Sequence, residues 1–156
     1  MSDTPRDDGL AVDLDQAHRV LIIICLALAG GVAVMAGVAL MLLHTGAFPP
    51  FLGFSRGVRV GVAIFLALLL AASYPVHRMA GGAVEVTDAA SALQAFQTRV
   101  ITAMAMREFV GIAGSVLILL SRDMVVGGSL AALSVITILL ALPRKDDLRE
   151  AVRRAR

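Results

Sequence analysis

Arg107 and Glu108 stand side by side inside an apolar run from Val100 to Leu120. A charged side chain at the centre of a bilayer costs roughly 2.5–3.5 kcal/mol on insertion scales, so an intramembrane charge points to a contact, a relay or an ion path. Three uses are open for this pair. It can fix helix register as a buried polar contact, handle an ion or proton through Glu108, or meet a lipid or another subunit. A cation beside the carboxylate favours its ionised form, which works against reversible proton uptake.

Little else in the chain suggests chemistry. His18, His44 and His77 fall one per segment near apolar edges, without metal-ligand spacing, and read as interface histidines. The seven Met read as packing. The single Cys25 can form neither an intramolecular disulfide nor a multi-cysteine metal site. No glycine-rich phosphate loop, Ser-His-Asp set outside the bilayer or carboxylate pair in a cleft is visible. No catalytic residue, metal or cofactor is expected, and the chain is not read as an enzyme.

The elements that must position the pair follow from composition. The chain is 58% hydrophobic with a mean hydropathy of +0.85, whereas soluble domains hold about 45–50% apolar residues. Crossing the hydrocarbon core takes about 20 predominantly apolar residues. The expected fold is therefore all-α: an integral membrane four-helix bundle of two hairpins, with spans at about 20–43, 58–74, 100–120 and 124–142. Pro75 is expected to end the second span and Pro143 the fourth. Residues 1–19 form an acidic segment and 143–156 a basic tail suited to anionic lipid headgroups. The acidic start and the length of Val20–Leu43 read as a first spanning helix rather than a signal peptide.

Connections refine this picture. Phe48, Phe51 and Phe54 around Pro49-Pro50 suit a loop dipping into the outer interface, and Ser121–Asp123 suits a tight turn. Thr87-Asp88 reads as a helix start, so helix three should extend below the membrane to a length of about 50 Å at 1.5 Å per residue. With both termini cytoplasmic, ten Lys/Arg lie on the inner side and Arg56, Arg59 and Arg122 on the outer. That bias gives a multi-pass, N-in/C-in protein of a bacterial inner (cytoplasmic) membrane. A faint duplication at an offset of 80 aligns Arg19-Val20 with Arg99-Val100 and Gly31 with Gly111.

Turning helix three at about 100° per residue gathers Val100, Met104, Arg107, Glu108, Gly111 and Ser115 in one sector, flanked by Gly114 and Ile118. Met106, Phe109, Ala113, Val116, Leu117 and Leu120 fall opposite, as a lipid face. The pair should thus point into protein, with Ser134, Thr137 and Ser115 as hydrogen-bond partners. Small residues at Ala29, Gly30, Gly31, Ala33 and Gly37, and at Gly111 and Gly114, suit close helix packing. No second charge lies inside the other spans, so a reciprocal pair on another copy is the expected partner.

The segment Ala103-Met104-Ala105-Met106-Arg107-Glu108, followed by Gly111 and a long aliphatic run, resembles the carboxylate helix of the duplicated, two-hairpin proteolipid subunits of rotary ATPases. That resemblance implies ring-like self-assembly. The functional expectation is a self-associating structural or assembly subunit, a homo-oligomer with further membrane-complex partners and no nucleic acid. The alternative is a proteolipid-like ion- or proton-handling subunit using Glu108.

Overall fold

The computed structural model describes residues 5–46, 55–78 and 89–154. These form five helices and, among the described residues, no strand: α1 (Pro5–Thr45), α2 (Arg56–Arg78), α3 (Ala89–Ser121), α4 (Met124–Leu140) and α5 (Lys145–Arg154). The aromatic connection around Pro49-Pro50 and the Thr87-Asp88 helix start lie outside the described residues.

Three helices are long and apolar enough to cross a membrane, over Leu14–Thr45, Arg56–Val76 and Ser91–Ser121. The expected fourth span is shorter. Its helix has 17 residues, about 25 Å against a hydrocarbon core of about 30 Å. It stops at Leu140, two residues early, because the Ala141 and Leu142 amides tighten onto the Ile138 and Leu139 carbonyls ahead of Pro143.

Other boundaries moved outward. α1 starts at Pro5, a residue whose missing N–H suits a first helical turn, so the acidic segment continues the first span as helix. Pro75 does not end α2, which runs on to Arg78. Only the single hydrogen bond from residue 75 to the Ala71 carbonyl is removed. α3 has 33 residues and the expected length of about 50 Å.

α3 is the hub, packing against every other helix, while among the described residues α1 and α2 make no substantial contact with each other. The expected first hairpin is therefore not seen as a packed unit among the described residues: α2 crosses to α3 and α1 leans on α3 and α4. Leu66 and Leu70 of α2 join Val110 and Leu117 of α3 and Leu130 of α4 in one apolar cluster. α1 buries Ala17, Leu21, Cys25, Ala29, Val32 and Ala39, a single stripe at near-helical spacing. The offset-80 pairs are not equivalent, since Val20 is exposed and Val100 buried.

The α3–α4 hairpin is the closest contact. Arg122 links the helices in a left-handed conformation (φ 53°), unusual for a residue with a Cβ. Asp123 then caps α4, its carboxylate accepting from the Val126 amide at 3.0 Å. Gly114 and Gly127 face each other so closely that a Cβ on Gly127 would lie 2.5 Å from the Gly114 carbonyl oxygen. Gly127, unlike Gly114, was not among the packing residues expected from sequence.

The basic tail is instead a helix. α5 docks on α1 and α3 through buried Leu148 and Val152, with Leu148 in the cluster of Ala17, Leu21, Phe96 and Val100. His18 Nε2 donates to the Pro143 carbonyl at 3.0 Å and Lys145 pairs with Asp15 at 3.1 Å. At the opposite end of the bundle Arg59 approaches Asp123 at 3.7 Å.

Gly127→Ala should destabilise the fold by about 1–3 kcal/mol, the usual range for overpacking. Gly128→Ala, where a Cβ meets nothing within 4 Å, should stabilise it by up to about 1 kcal/mol through helix propensity. Thermal unfolding of both variants in the same detergent measures this; a neutral Gly127→Ala would contradict the close approach.

Candidate functional site

Arg107 is enclosed completely, with no solvent-accessible surface, whereas the neighbouring Glu108 is only half-buried. Adjacent positions on a helix diverge by about 100°, and the two side chains form no ion pair with each other. The expected pair is therefore two separate features.

The guanidinium is held by three helices. Its Nε donates to Ser73 Oγ of α2 at 3.0 Å, and its Nη1 to the Thr137 carbonyl of α4 at 3.1 Å. Met104 Sδ, one turn back on α3, lies 3.8 Å from Nη1. The Tyr74 ring lies 5.1 Å from the guanidinium carbon, within the range of a cation–π contact. The contact with Met104 follows from backbone geometry: the Cα–Cβ bonds of a helix tilt toward its N-terminus, so a long side chain reaches back over the preceding turn.

Each neighbour is itself fixed. Ser73 Oγ donates to the Leu70 carbonyl at 2.6 Å, leaving a lone pair for Arg107. Thr137 belongs to the last turn of α4, where carbonyls lack intrahelical donors. The Ala141 amide turns to Ile138, and Arg107 supplies the Thr137 oxygen instead. A cation at this position also meets the partial negative charge of the helix C-terminus, roughly half an elementary charge.

The main chain of Arg107 is clamped as well. Ser134 Oγ donates to the Arg107 carbonyl, and Thr137 Oγ1 donates to the Ser134 carbonyl at 2.9 Å. Gly111 makes this approach feasible: a Cβ there would lie 2.7 Å from Ser134 Oγ and 2.5 Å from Val32 Cγ1. Of the three expected hydrogen-bond partners, Ser134 and Thr137 are thus at Arg107. Ser115 is not, since its hydroxyl donates to the Gly111 carbonyl of its own helix at 2.9 Å. One guanidinium nitrogen, Nη2, is buried without an acceptor among the described residues.

Ser73 and Tyr74 were absent from the expected set. Ending α2 at Pro75 placed them at the margin of the span, although two hydroxyl-bearing residues closing an apolar run were visible. The expectation that Arg107 would find its partner on another copy is replaced, because its partners are neutral groups of its own chain. The lipid face of α3 is also rotated: Leu117 is buried and Ala113 packs toward α2, while Phe109 and Val116 are exposed.

Glu108 points toward α1, where a Cβ on Gly31 would lie 3.7 Å from its Oε1. No hydrogen bond or ion pair engages its carboxylate among the described residues. The small residues of α1 divide between two faces. Ala29 is buried, but Gly30, Gly31, Ala33 and Gly37 are exposed, and nothing lies within 4 Å of a Cβ on Gly30 or Gly37. Among the described residues no three His, Cys, Asp or Glu side chains gather as a metal site.

No protein-family model, curated protein or solved structure matches this chain.

Ser73→Ala should strand the Nε–H of a buried cation and cost about 1.5–3 kcal/mol. In an Arg107→Met background the same change should cost little, because no donor remains to be stranded. A double-mutant cycle read by thermal unfolding measures the coupling. Equal costs in both backgrounds would remove Ser73 from the Arg107 contact.

Proposed function

We propose that this chain is a self-associating structural or assembly subunit of a bacterial-type inner membrane, its four apolar helices embedded and both termini cytoplasmic. The observation that carries this reading is the outward face of α1, where Gly30, Ala33 and Gly37 are exposed and uncovered among the described residues. Without a hydrophobic force to drive helices together in lipid, close approach through small residues is the principal route to association. The enclosure of Arg107 by Ser73, Thr137 and Met104 supports the same reading, since its donors go to holding helices in register. A ring of copies fits the resemblance to proteolipid subunits noted from sequence.

Cross-linking in mild detergent or nanodiscs tests the proposal. Wild-type protein should form a discrete oligomer, and Ala33→Leu combined with Gly37→Leu should shift it to monomer with helical circular dichroism unchanged. A wild-type monomer, or an oligomer indifferent to both substitutions, would overturn self-association through this face.

A second reading, ion or proton handling, rests on Glu108, a half-buried carboxylate without a partner among the described residues. A hydrophobic carbodiimide reacts with a protonated carboxyl in lipid, so Glu108 should be labelled and the label should vanish in Glu108→Gln. Absence of labelling in the wild-type protein would sink it.

A further inference from the structure

α5 begins just outside the apolar part of the bundle. Pro143 is bonded to His18 and Lys145 to Asp15, within one to two turns of Val20, where the uncharged stretch of α1 starts. On α5 the exposed cations Lys145, Arg149 and Arg153 recur every four residues and so share one side of the helix. At about 100° per residue Asp147 points away from that side, while Asp146 and Glu150 border it. Arg19 of α1 joins the cationic side, because it lies one helical turn beyond Asp15, the carboxylate that Lys145 holds at 3.1 Å. Lys145 is thereby occupied. The exposed guanidinium groups of Arg19, Arg149 and Arg153 are engaged by no carboxylate among the described residues.

We infer that Arg19, Arg149 and Arg153 form a binding site for the phosphate of anionic lipid headgroups at the α1–α5 junction. Guanidinium groups match phosphate oxygens through paired N–H donors. A membrane source fits the position of the cluster, one residue from the apolar stretch of a helix long enough to cross a bilayer. Docking of α5 through Leu148 and Val152 holds the cations in place, so the site is preformed, unlike a flexible basic tail that must be ordered on binding. The inference is independent of whether copies associate.

Native mass spectrometry of the full chain in mild non-ionic detergent tests it. Dioctanoyl phosphatidylglycerol should bind at concentrations where dioctanoyl phosphatidylcholine does not. The combined variant R19Q/R149Q/R153Q should weaken that binding on the order of a hundredfold, at roughly fivefold per cation beside an anionic surface. The single variant R149Q should weaken it about fivefold, and it stands as the comparison if the triple variant loses helicity. Equal binding of the two lipids, or undiminished binding in the folded variants, overturns the site. Displacement of the lipid by inorganic phosphate at matching affinity overturns the membrane source and identifies a free anion.

Discussion

A guanidinium enclosed among apolar helices needs acceptors for its N–H bonds and some compensation for its charge. Arg107 takes acceptors from α2 and α4 and part of its compensation from the C-terminal end of α4. Ser73, Thr137 and the Arg107 carbonyl bring three helices to one level, and Gly111 is small because Ser134 and Val32 occupy the space a side chain would take. Uncompensated burial of a charge costs several kcal/mol, so an arrangement of α2, α3 and α4 that separates these groups is disfavoured. The layer specifies register together with the close approach of Gly114 to Gly127 between α3 and α4.

That constraint explains why chain order does not predict which helices pack. The three-residue link through Arg122 forces α3 and α4 together, whereas the connection from α1 to α2 is long enough to let α2 leave α1. The side of α2 that reaches α3 carries Leu66, Leu70 and Ser73. α3 thus becomes central, with α4 against one face and α1 and α2 on either side. Glu108, one residue from Arg107, falls at the α1 edge.

Much of this was readable in the residues. Three long apolar helices, the length of α3 and the tight 121–123 turn follow from hydropathy and capping residues. Ser134 and Thr137 were expected beside the pair, matched in depth to Glu108, and they meet Arg107 instead. Ser73 and Tyr74 were not expected there, because a proline was taken as a stop when it removes one hydrogen bond near a helix end. α5 was hidden for a different reason: two apolar residues, Leu148 and Val152, carry its buried face among charges that dominate its composition. The outward turn of Ala33 and Gly37 shows a further limit. A spacing of four drifts by about 40° per step, so a repeat that begins in the core at Ala29 leaves it within two steps.

The dependence of Arg107 on groups later in the chain also orders events in time. When α3 leaves the ribosome, Thr137 and Ser134 still follow behind it inside the exit tunnel, and the guanidinium lacks both its α4 acceptor and the clamp on its carbonyl. Entry of α3 alone into lipid would expose that incomplete layer to hydrocarbon. The short turn through Arg122 delivers α4 immediately behind it, so the layer is completed by the next helix of the chain. α5, later still, adds Leu148 to the cluster of Leu21, Phe96 and Val100.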